Sequence, residues 1–83
     1  MLGSVREPLE KKSIPALVES FRDTAARRGW ELDEGNPKQA NAAFDFLEEI
    51  WAELSRRSRT DALRTLLTDE DPGVRLAAAA RLL

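Results

Sequence analysis

From Ser13 onward apolar side chains recur at steps of three and four: Ile14, Leu17, Val18, Phe21, Ala25 and Leu32. That spacing marks one face of a helix. Ser13 precedes it as an N-cap hydroxyl, and Pro15 is tolerated in the first turn. Gly29 weakens the last turns, and Trp30 falls off the main stripe. Gly35-Asn36-Pro37 then reads as a stop and a restart. Glycine suits a left-handed position after a helix, Asn caps the next one, and Pro occupies its first turn without losing a bond. Gln39, three residues after Asn36, would complete a variant capping box. The second helix carries the most continuous stripe: Ala40, Ala43, Phe44, Leu47, Ile50, Trp51 and Leu54, with Asn41, Asp45, Glu48, Glu49 and Glu53 mostly opposite.

Ser58 or Thr60 is placed to cap a short third helix with Ala62, Leu63, Leu66 and Leu67 inward. Asp71-Pro72 opens a fourth. No strand-like alternation or hairpin signal interrupts this order. Residues 1–12 mix charge with Gly3 and Pro8 and show no period, so they predict a flexible N-terminal tail ahead of one helical domain over 13–83.

The stretch from Leu63 to Leu82 has an internal grammar: a leucine helix, the acidic turn Asp69-Glu70-Asp71, then Val74-Arg75, two residues, Ala78-Ala79, two residues and Leu82. Small alanines let the second helix pack closely on the first, with Val74, Ala78 and Leu82 facing it, and Asp69 and Arg75 can pair across the turn. This pattern resembles a HEAT repeat. With Leu17-Val18-Glu19-Ser20-Phe21, Asn41-Ala42-Ala43-Phe44-Asp45 and Ile50-Trp51-Ala52-Glu53-Leu54 upstream, residues from about 14 to 83 resemble a bacterial family catalogued as domain of unknown function two thousand and nineteen. The resemblance implies an all-α, four-helix α-α superhelix of HEAT-like helical hairpins. It implies no assigned activity.

Composition removes whole classes of chemistry. The 83 residues include no Cys and no His. Disulfides, thiolate metal sites, Cys nucleophiles, imidazole catalysis and Ser-His-Asp triads are thereby excluded. The Ser and Thr residues lack a base partner, so the chain is expected not to be an enzyme and to need no cofactor or metal. Thirteen Lys and Arg against fifteen Asp and Glu leave a net charge of −2, which offers no global field for nucleic acid or anionic lipid. Charge at Arg6, Glu7, Glu10, Lys11 and Lys12 replaces the apolar run of a leader, and no segment has membrane-span length. A cytoplasmic protein without a membrane partner is expected.

Two charged clusters need a reading. Asp45, Glu48, Glu49 and Glu53 could be imagined around Mg²⁺; the i,i+4 pairs Glu49/Glu53 and Glu53/Arg57 instead describe an exposed, charge-laced face. Arg56, Arg57 and Arg59 could contact phosphate, or complement the dipole at the C-terminus of the second helix.

On the fourth helix Val74, Ala78 and Leu82 make one apolar face and Leu76, Ala79, Ala80 and Leu83 another, with Arg75 and Arg81 interrupting the ring. A helix apolar nearly all round expects cover on both sides, as repeat units receive from the next repeat. Trp51 belongs to the core stripe, while Trp30 is an edge-of-core filler or an exposed anchor. The expected partner or self-association surface is therefore Trp30, Leu76, Ala79, Ala80 and Leu83. The expected function is a non-catalytic helical protein–protein interaction module, regulatory or toxin-neutralising, with a protein partner or a second copy. The alternative is a weak nucleic-acid or nucleotide binder using Arg56, Arg57 and Arg59.

Overall fold

The hydroxyl oxygen of Ser13 accepts the amide hydrogen of Ala16 at 3.2 Å and opens α1, Ile14–Asp33, with Pro15 in its first turn. The computed structural model describes residues 8–83. Helix α1 ends at Gly35, whose φ of +76° is the left-handed conformation that glycine adopts without steric cost. The Gly35 amide reaches the Leu32 carbonyl and the Asn36 amide that of Glu31, the paired bonds that satisfy two orphan carbonyls at a helix end. Asn36 does not form the expected capping box. It makes no side-chain cap bond, and its amide group instead donates to Glu31 Oε1 at 3.4 Å. The nearby carboxylate, itself buried, claims the Asn36 side chain before the next helix can use it.

Helix α2, Pro37–Arg56, runs back along α1 after this tight turn. It ends with the same pair of bonds as α1, from Ser58 to Ser55 and from Arg59 to Leu54. Here the left-handed position, φ +58°, is held by Ser58. This corrects the expectation that Ser58 or Thr60 caps the following helix: Ser58 closes α2, and Thr60–Thr68 opens after Arg59 with no side-chain cap. That third helix is a nine-residue 3-10 helix, long for a conformation that usually occurs in short pieces. Asp71 then caps α3, Pro72–Leu82, its Oδ1 accepting from the amides of Gly73 at 2.7 Å and Val74 at 3.2 Å.

The protein is all-α, with four helices arranged as two hairpins and no strand among the described residues. Leu17, Phe21 and Ala25 of α1 meet Leu47, Ile50 and Leu54 of α2; Leu63 and Leu66 of the 3-10 helix and Val74 and Ala78 of α3 complete the core. Where α3 crosses α1, Gly29 and Gly73 are so close that a Cβ on either would stand within 4 Å of the other's Cα. The molecule measures 37 × 35 × 18 Å, thin enough for about two helix diameters of ~10 Å. A slab of that kind leaves helix faces uncovered. No described helix is long and apolar enough to cross a membrane.

Order begins before Ser13. Leu9–Lys11 form a 3-10 turn whose Leu9 packs on the core, and Arg57 donates to the carbonyls of Lys12 at 2.7 Å and Leu9 at 2.9 Å. Of the predicted tail, residues 8–12 are therefore held in place by α2; residues 1–7 lie outside the described residues.

Candidate functional site: an apolar groove beside two arginines

Three of the large apolar side chains left exposed, Leu32, Phe44 and Leu76, line one groove. At about 100° per residue, Phe44 stands about 80° from the centre of the buried α2 stripe formed by Ala40, Ala43, Leu47, Ile50 and Leu54. The residue is 41% exposed, which corrects the inward position expected from spacing. Leu32, on the last turn of α1, is 51% exposed. Trp51 is half-buried against the core, as its stripe suggests. Together Leu32 and Phe44 form walls of a groove of about 550 Å³ that runs between α1, α2 and α3. Its other lining residues are Ala25, Arg28, Gly29, Leu47, Gly73, Leu76, Ala77, Ala80 and Arg81.

Of the five residues expected to form a docking surface, the structure brings two into this groove. Leu76, 70% exposed, and Ala80 line it from α3. Ala79 is half-buried and turned away from the groove on the helical wheel, while Leu83, 97% exposed, shares the side of Leu76 but lies outside the groove's lining. Trp30 is 60% exposed, so it is no core filler, but it projects about 140° round α1 from Ala25 and stands apart from Leu76 and Ala80. The groove's α1 and α2 walls escaped the sequence reading. For Phe44 the signal was its off-centre position, which the three-and-four spacing absorbed into the core stripe; Leu32 falls within about 20° of the centre of the buried α1 stripe and gave none.

The arginines at the groove differ in how they are satisfied. The guanidinium of Arg28 lies 5.2 Å and that of Arg81 5.5 Å from the Phe44 ring centroid, within the range where a cation is drawn to an aromatic face. Arg81 also pairs with Glu48. Arg28 makes no ion pair among the described residues, and its Nε is buried without an acceptor.

Elsewhere the charged clusters resolve into pairs. Glu53 is buried and accepts from Arg56 at 2.6 Å and from Arg57 at 2.6 Å. Hydrogen bonds from Arg56 and then Arg57 hold its carboxyl below the usual range. The arginine knot is thus engaged internally, because Arg59 meets Asp61 at 3.2 Å and Arg57 also clasps the N-terminal carbonyls. The α2 carboxylates likewise diverge, Glu48 toward Arg81 and Glu53 toward Arg56 and Arg57; among the described residues no group of three acidic side chains could hold a metal. Asp69 does not pair with the Arg75 side chain as expected. Its Oδ1 takes Arg22 Nε at 2.7 Å and its Oδ2 the Asp71 amide at 3.0 Å, while Arg75 donates to the carbonyls of Asp69 and Glu70. Helix α1 supplies a cation the local sequence could not foretell.

Compared with protein-family models, with curated proteins and with solved structures, the chain matches none of them.

Proposed function

We propose that the protein is a non-catalytic helical interaction module that docks a segment of another protein in the groove between α1, α2 and α3. The observation that carries this reading is the convergence of Leu32, Phe44, Leu76 and Ala80, from three helices, on one open apolar groove of about 550 Å³. Scattered exposed apolar residues are ordinary on a surface; contiguous ones around a concavity mark interaction sites. The acidic turn and alanine-rich α3 support the same reading through their HEAT-like pattern, since such units stack on neighbours. Phosphate binding by Arg56, Arg57 and Arg59 has less support, because each guanidinium already meets a carboxylate.

Affinity capture from the native cell, with the parent and with Leu76→Glu, tests the proposal. Leu76 is exposed, so the variant should melt with the parent while losing a partner that the parent retains. A partner held equally by both proteins would refute docking in this groove.

A further inference from the structure

Resting on that docking reading, we infer that the groove's partner is an amphipathic helix that carries a carboxylate within its apolar face and sets it on Arg28. Charge balance points to the carboxylate. Two guanidinium groups stand at the Phe44 ring, and one carboxylate, that of Glu48, answers them through Arg81. Among the described residues Arg28 has no carboxylate partner, and its Nε is buried without an acceptor beside apolar walls. In a chain of net charge −2, this is a local positive excess where water is partly excluded, and charge-assisted bonds there are stronger than at an open surface. Arginine is also suited to take a carboxylate with two parallel N–H donors.

The shape of the groove selects a helix. Ala77 and Ala80 give its α3 side a low profile on which a helical backbone can approach closely, while Leu32, Phe44 and Leu76 stand up as walls to meet residues at i, i+3, i+4 and i+7. No strand edge is present among the described residues to pair with an extended peptide. A second copy of this chain fits less well, because two facing grooves would gather four guanidinium groups against two carboxylates.

The test uses three synthetic leucine–alanine amphipathic helices, identical except for one central position on the apolar face occupied by Glu, Gln or Lys. Each is titrated into the isotope-labelled protein while the amides of Leu32, Phe44 and Leu76 are followed by NMR. The Glu peptide should bind about tenfold more tightly than the Gln peptide, and the Lys peptide most weakly, with shifts confined to the groove. Arg28→Met and Arg28→Gln should both erase the preference for Glu. Equal binding of the Glu and Gln peptides in the groove would overturn the carboxylate and leave the docking reading standing. An absence of groove shifts with every peptide would overturn both. Broadening of the same amides on concentrating the protein alone, with a dimer by light scattering, would make a second copy the occupant and likewise overturn the inference.

Discussion

Arg22 and Asp69, 47 positions apart, meet at 2.7 Å between Nε and Oδ1 and tie α1 to the turn before α3. The Asp71 amide and then Arg22 hold the Asp69 carboxyl below its usual 3.8; Arg56 and Arg57 hold Glu53 below its usual 4.5. Both groups bind protons less readily folded than unfolded. The stability they contribute is present above those usual values and is lost as pH falls through the lower folded ones. Thermal midpoints should therefore drop between about pH 5 and about pH 2, and Asp69→Asn or Glu53→Gln should each flatten the dependence. Circular dichroism melts across that range check it. A parent whose midpoint ignores acid would contradict the role given to both carboxylates.

Phe21 and Phe44 should respond differently to truncation. Phe21 is fully buried, so Phe21→Ala is expected to cost about 3–5 kcal/mol. That is comparable with the few kcal/mol, roughly 3–5, that one small core supplies, and the variant should be largely unfolded. Phe44→Ala, at the groove rim, should cost about 1 kcal/mol or less. Urea unfolding of the two variants side by side measures the contrast, and equal losses would return Phe44 to the core.

The crossing of α1 and α3 predicts opposite effects at its two glycines. A Cβ at Gly29 would meet Gly73 Cα at 3.9 Å, an ordinary contact, so Gly29→Ala should stabilise by up to about 1 kcal/mol through helix propensity. A Cβ at Gly73 would press Asp71 Oδ1 at 3.1 Å, the atom that caps α3. Gly73→Val adds further bulk against α1 and should lower the melting temperature. A Gly73→Val variant as stable as the parent would show that the helices have room to separate.

Ser58 occupies the left-handed end of α2 that Gly35 occupies at the end of α1. A side chain there is strained where glycine is not. Ser58→Gly should therefore raise stability by roughly 0.5–1 kcal/mol, read as a higher urea midpoint at unchanged slope. Destabilisation would mean that the serine side chain contributes a bond at that turn.

What the sequence determined by itself lies within one helical turn of each residue. Ser13, Gly35 and Asp71 end or begin helices through bonds that close over two to five positions, and the stripe from Leu17 to Ala25 needs only the helical period to find its buried face. Such features are legible because their partners are neighbours in the chain. The 3-10 geometry of Thr60–Thr68, the clasp of Arg57 on Leu9 and Lys12, and the choice of Arg22 over Arg75 by Asp69 depend on groups brought together from distant segments. So does the groove. Leu32 and Phe44 have the spacing of core residues, yet both stay exposed along the groove; Leu76 and Ala80 were legible as an uncovered face, but their facing walls were not. Periodicity states which side of a helix is apolar. Only the packing of α1, α2 and α3 decides how much of that side a neighbour is long enough, and close enough, to bury.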